Sequence, residues 1–269
     1  MTLSIFDLFK IGVGPSSSHT VGPMVAANRF LAELEGRQFL PQAAGIRAHL
    51  YGSLAMTGRG HATDTAVIIG LTGETPEAVD AGKIPSYLSQ IEADGVLTLA
   101  GTTPVPFRAD EHLHFHHGEN LPKHPNGLRL EALDAAGLIL YSNTYYSVGG
   151  GFVLSCAEAD SSGRGLPTEP RSVAYPFHDA RSLLRQADDH GLTIAGLVLA
   201  NERAFRSEED TRQGLARLWQ TMDECIRLGC KATGHLPGGL NIPRRANQLY
   251  RELRHQPERG LSDQLTVMD

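Results

Sequence analysis

The apolar residues of this chain change their spacing twice, and those changes limit the folds open to it. From Val21 to Leu34 the positions Val21, Met24, Val25, Ala27, Phe30 and Leu31 recur at helical spacing, leaving Glu33, Glu35 and Arg37 for water. Thr63 to Leu71 reads as a second helix, with Ala66, Val67, Ile69 and Gly70 turned inward and Gly73 just past its end. Between them Ile46 to Tyr51 alternates as a strand does, until Gly52 breaks it. A shorter helix is expected over Ala81 to Ala93. The period then falls to two: Pro104–Arg108, His112–His116, Gly127–Leu133 and Gly137–Tyr145 read as strands separated by Gly, Asp and Asn turns.

Past Arg171 the helical period returns and no strand is expected. Helices are predicted over Ala180–His190, closed by Gly191, and after a Thr193 N-cap, with Ile194, Leu197 and Val198 packing. A longer helix starts at a Ser207/Asp210 capping box, and its Leu215, Leu218, Trp219, Met222 and Ile226 form one apolar stripe, expected to be core. Arg245–His255 gives a last clear helix, and Leu261–Asp269 the start of another. Asp, Ser, Gly, Pro and Glu dominate from Ala159 to Arg171. The expected fold is therefore an α+β N-terminal domain over 1–158, a linker over 159–175, and the beginning of an all-α domain over 176–269.

A hydrophobic content of 41% and a charged content of 20% describe an ordinary globular chain, and a net charge of −6 argues against nucleic acid or an anionic membrane as partner. Met1 to Ile11 lacks a basic n-region, and no run of about 18 apolar residues is present, so a cytoplasmic protein with no membrane partner is expected. Cys156, Cys225 and Cys230 are too few and too scattered for a disulfide framework. On one helix Cys225 and Cys230 would stand about 140° apart, badly placed to grip one ion. His112, His114, His116 and His117 invite a metal reading, but the outer two of the three on one face of a strand lie about 13 Å apart. A solvated histidine-rich strand fits better, and no metal ligand set is read from the residues. Pyridoxal phosphate is not implied, because none of Lys10, Lys83, Lys123 and Lys231 lies in a motif that recommends a Schiff base.

Four motifs carry the chemistry. In Gly14-Pro15-Ser16-Ser17-Ser18-His19-Thr20, hydroxyls, helix-end amides and an imidazole converge on a volume suited to a carboxylate or phosphate; a plain N-cap is the simpler alternative. In Gly58-Arg59-Gly60-His61-Ala62-Thr63-Asp64, a glycine-rich turn presents His61 beside a helix start. Its imidazole has an intrinsic pKa suited to a base near neutrality, although it could simply cap that helix. Asp64 could fix the His61 tautomer or serve as an N-terminal helix charge. Asn143, Thr144 and the Ser147–Gly151 turn in Tyr145-Tyr146-Ser147-Val148-Gly149-Gly150-Gly151-Phe152 could form a second wall or a tight turn. The fourth motif is Leu236-Pro237-Gly238-Gly239-Leu240 followed by Arg244-Arg245-Ala246.

Taken in order, and with Ile5-Phe6-Asp7-Leu8-Phe9-Lys10 before them, these motifs resemble the bacterial iron-sulfur L-serine dehydratases over essentially the whole chain. The resemblance implies a carbon–nitrogen lyase of amino-acid catabolism and gluconeogenesis that converts L-serine to pyruvate and ammonia. It implies a [4Fe-4S] cluster whose ligand cysteines lie further along the family pattern than this chain reaches. It implies His61 as the base and His19 as the second catalytic candidate. Ser16, Ser17, Ser18 and Thr20 would hold the substrate, with Asp64, Asn143, Ser147, Gly149 and Gly150 completing the set. A homo-oligomer or a cluster-bearing partner subunit would follow. The first domain of this family also resembles the allosteric substrate-binding domain of some phosphoglycerate dehydrogenases, so a non-catalytic small-anion or serine-binding module stands as the alternative.

Overall fold

A computed structural model of the chain describes residues 3–161, 171–236 and 241–254. It divides into two compact units, Met1–Phe205 and Arg206–Asp269. The sequence features placed at 162–170, at Pro237–Leu240 and from His255 onward lie outside the described residues.

The first unit opens with α1 (Ile5–Leu8), capped by Ser4, whose hydroxyl accepts the Phe6 amide while Asp7 accepts the Ser4 amide. A helical turn over Ser17–Val21, wider than an α-turn, runs straight into α2 (Gly22–Gly36). There follow β1 (Gly45–Tyr51), α3 (Gly52–Thr57), α4 (Thr63–Leu71), α5 (Ile84–Asp94), β2 (Val96–Leu99), β3 (Thr103–Pro106) and α6 (Ala109–His112). Next come β4 (Leu113–His116), β5 (Gly127–Leu133), β6 (Ile139–Gly149), β7 (Phe152–Ser155), α7 (Cys156–Ser161), α8 (Ala180–Asp189) and α9 (Ile194–Glu202). The main sheet has the order β4-β1-β5-β6-β7. β1 pairs with β4 in parallel, and the other neighbours are antiparallel, so the sheet is mixed as expected.

Helices α2 and α4 pack together at Gly70, where an added Cβ would sit 2.8 Å from both the Ala27 Cβ and the Met24 carbonyl. That close approach lets one core collect Phe30 and Leu34 of α2, Ile46 and Leu50 of β1, Leu71 of α4, and Leu128, Leu130 and Tyr145 of the sheet, all fully buried.

Several expectations need correction. The segment expected as a strand over Pro104–Arg108 forms β3, which pairs with β2 in a separate hairpin rather than in the sheet. β6 continues past Tyr145 to Gly149, and β7 returns along it after the Gly149-Gly150-Gly151 turn, whose glycines all have positive φ. The histidine-rich strand is not simply solvated. In the parallel register His49 stands opposite His114 and Tyr51 opposite His116, so their rings interleave. The His49 ring stacks on His114 at 4.7 Å, and its Nδ1 lies 3.0 Å from His116 Nε2. Its Nε2 lies 3.4 Å from the buried Glu131 carboxylate, which also pairs with Arg129.

The second unit contains α10 (Glu208–Lys231) and α11 (Ala246–Arg254). Asn247 Nδ2 donates to the Cys230 carbonyl at 2.8 Å and ties the two helices together. The α10 stripe expected to be core is largely solvent-facing, with Trp219 63% and Ile226 56% exposed. A nine-residue α11 is too short to cover a twenty-four-residue helix. No described helix is long and apolar enough to cross a membrane.

Candidate functional site

The serine motif and the His61 turn meet because two threonines clasp them. The Thr20 hydroxyl donates to the His61 carbonyl at 2.8 Å, and the Thr63 hydroxyl donates to the His19 carbonyl at 2.6 Å. Both threonines are buried, so each reciprocal bond is made away from competing water. The clasp brings the His19 and His61 rings to 4.9 Å between centroids, tilted by 40°.

The two imidazoles are held differently. His61 Nδ1 lies 2.9 Å from the Thr57 carbonyl, which can only accept, so Nδ1 carries the hydrogen of the neutral ring. The Nε2 lone pair is then left without a bond among the described residues. His19 has both nitrogens engaged, Nδ1 with Ser18 Oγ and Nε2 with Ser53 Oγ, each at 2.9 Å. Burial pushes the His19 pKa down, the neighbouring His61 ring adds to this, and the Ser53 bond opposes it.

Ser16 caps the wide turn, its hydroxyl accepting the His19 amide at 3.2 Å and lying 3.5 Å from Ser18 Oγ. Ser17 is exposed, and the amides of Ser17 and Ser18 head the turn, where helical geometry gives an N–H no carbonyl partner. Hydroxyls, amides and rings thus share one surface that fits a carboxylate beside a base. Thr20 belongs to this group as its clasp rather than as an open hydroxyl. Ala62, between His61 and Thr63, has φ of 54°, a left-handed conformation that turns the chain from the His61 turn into α4.

The other expected residues take different parts. Asp64 bonds the Thr65 amide and lines a cleft of about 410 Å³ with Thr65, Ile68 and Arg108, so it is the Thr57 carbonyl that sets the His61 tautomer. The Asn143 side chain donates to Glu33 Oε2 at 2.7 Å, and the Tyr141 and Tyr145 hydroxyls donate to the same oxygen. Glu33 lies three turns along α2 from its start at Gly22, about 16 Å further on. Ser147 is fully buried under that motif: a Cβ on Gly22 would fall 2.0 Å from its Oγ. Gly149 and Gly150 form the β6–β7 turn. Sequence reasoning gave no role to Ser53, Thr57 or Thr63. Thr63 lay inside a motif already singled out, whereas the sole signal at Ser53 was the glycine break before it.

The thiols do not fit an iron-sulfur cluster. Of the three cysteines, all free, Cys225 and Cys230 stand five residues apart on α10, about 140° around the helix, so their thiols do not turn toward one cubane. Among the described residues no group of three or more His, Cys, Asp or Glu side chains is arranged to hold a metal ion.

Among the described residues, an α+β scaffold thus sets an imidazole nitrogen without a bond beside a serine-lined helical turn. Residues 4–158 match the serine dehydratase beta chain family. The chain belongs to that family. It is 42% identical over 271 residues to L-serine dehydratase 2 of Escherichia coli, covering 99% of this chain and 57% of that protein. It is 43% identical over 257 residues to an L-serine dehydratase of Streptomyces coelicolor, covering 95% and 56%. With the Haemophilus influenzae L-serine dehydratase it shares 40% identity over 269 residues, covering 99% and 58%. The chain therefore spans a little over half the length of the curated relatives it matches.

Proposed function

We propose that this chain carries the substrate-side groups of an L-serine ammonia-lyase. The observation that carries the reading is the His61 ring, tautomer set by Thr57 and Nε2 free, held 4.9 Å from His19 over the serine turn. In this reading Ser16, Ser17 and Ser18, with the amides at the head of the turn, receive the carboxylate of L-serine. His61 Nε2 removes the Cα proton. The electron pair left on Cα forms the Cα=Cβ bond as the Cβ–O bond breaks and hydroxide leaves. The aminoacrylate so formed tautomerises to an imine, and water converts it to pyruvate and ammonia. His19, held at both nitrogens by Ser18 and Ser53, packs beside His61 and keeps the base in place over the serine turn.

The [4Fe-4S] cluster that the family resemblance implies does not fit the thiols of this chain, and no role assigned here passes through it. Residues 1–158 carry the substrate groups, 159–175 link, and 176–269 begin the helical catalytic domain. The remaining features of the reading are a cytoplasmic enzyme and a homo-oligomeric or two-chain assembly.

The test is pyruvate formation from L-serine by the active assembly containing this chain. Replacing His61→Ala is expected to lower kcat by about 100-fold or more, the usual contribution of a positioned base. Turnover within a few-fold of the parent removes His61 as the base.

A further inference from the structure

The structure assigns Ser53 as the positioning residue of His19, the hydroxyl that holds this ring in one orientation beside His61. The assignment rests on the reading above for its purpose, and on geometry for its substance. Ser53 Oγ lies 2.9 Å from His19 Nε2, and Ser18 Oγ takes Nδ1 at the same distance. A ring bonded at both nitrogens cannot turn over without losing both bonds.

Ser53 is itself held firmly. Its amide donates to the Pro125 carbonyl at 2.9 Å, and the Gly52 amide donates to the Glu119 carbonyl at 2.7 Å. Gly52 has φ of 52°, and a Cβ there would fall 2.2 Å from the Pro125 carbonyl oxygen. Glycine is therefore required at the turn that aims Ser53 at the ring. α3 extends the device. Thr57 stands four residues after Ser53, on the same face of this helix, and its hydroxyl donates to the Ser53 carbonyl at 2.9 Å. Its own carbonyl holds His61 Nδ1. One short helix thus presents a handle to each imidazole, a hydroxyl to His19 and a carbonyl to His61. The handles also sort the rings: His19 is bonded at both nitrogens, and His61 retains one free.

The experiment is nuclear magnetic resonance on the full chain with nitrogen-15 histidine. The parent is expected to show a protected ring N–H for His19 and a clear proton–proton contact between the His19 and His61 rings. In Ser53→Ala the His19 Nε2 resonance should move and the inter-ring contact should weaken by about half or more. Ser53→Thr, which restores the hydroxyl, should recover both. Thermal unfolding of each variant checks folding, and Ser53→Cys, a weak hydrogen-bonding isostere, replaces Ser53→Ala should that variant not fold. A His19 signal and ring contact unchanged in Ser53→Ala or Ser53→Cys overturn the assignment, as does a Thr variant that recovers neither. Added L-serine separates this from the reading it rests on. If neither ring responds to L-serine, the substrate reading fails, while the parent and variant spectra still decide the role of Ser53.

Discussion

Gly22 shows how narrow the tolerances are where single atoms meet beneath the serine turn. Its missing side chain makes room for Ser147, whose Oγ is buried and has no hydrogen-bond partner among the described residues. A methyl group added at Gly22 would lie 2.0 Å from that oxygen and 2.8 Å from the Ser147 Cβ. Gly22→Ala is therefore expected to cost about 1–3 kcal/mol in urea unfolding, the usual penalty of overpacking. Adding Ser147→Gly should return part of that loss, because it removes both obstructing atoms. Ser147→Ala alone should stay within about 1 kcal/mol of the parent, since a buried hydroxyl without a partner contributes little. Equal losses in the single Gly22 variant and the double variant would refute this packing account. The same residue shows what a sequence cannot say about a site. Ser147 stands in a glycine-rich motif where a second wall was expected, yet neighbouring residues of a strand face opposite sides, and residue type alone does not name the side. His19 and His61 were legible because their local turns already aimed them, whereas the Thr20–Thr63 clasp joins turns 43 residues apart and left no local trace.

Elements with local signals were legible, and those that depend on distant partners were less so. Thr193 and Ser207 cap their helices as their side-chain chemistry predicts. β2 and β7 were missed because each opens on two adjacent apolar residues, Val96-Leu97 and Phe152-Val153, so no alternation shows. The β1–β4 pair was seen as two strands, but not as neighbours, so the ring ladder between them was hidden. That ladder has a measurable consequence. Burial holds the His49 pKa down to about 4, with Arg129 and His114 lowering it further and Glu131 opposing them; His116, Tyr51 and Glu119 complete the surroundings. In the unfolded chain His49 takes up its proton near its ordinary pKa of about 6.5. Between that value and about 4 the unfolded state binds more protons than the folded one, so stability falls as pH falls through this window. Urea midpoints across this range should drop with acid in the parent, and His49→Gln should flatten the drop. An identical slope in both proteins would show that His49 is not the group responsible.

For the molecule as a whole, the exposed stripe on α10 is the feature least consistent with a chain that works by itself. Large apolar side chains left in water across several turns mark a surface that something else covers. Burying them would contribute about 25 cal/mol for each Å² removed from water. The curated relatives match 95% to 99% of this chain, yet 42% to 44% of their own length lies outside the match. That unmatched part of a relative offers a direct test of what covers Trp219, Met222 and Ile226. Because Trp219 is the one tryptophan of the sequence, its fluorescence reports on that surface alone. Adding the unmatched part of a full-length relative as a separate polypeptide, or joining it to this chain, should shift the emission to the blue. Trp219→Glu should weaken the association by about tenfold or more, as loss of a buried aromatic anchor does. An emission unchanged on mixing and on joining would mean that those residues do not cover the stripe; the apolar face of α10 would then need a different partner.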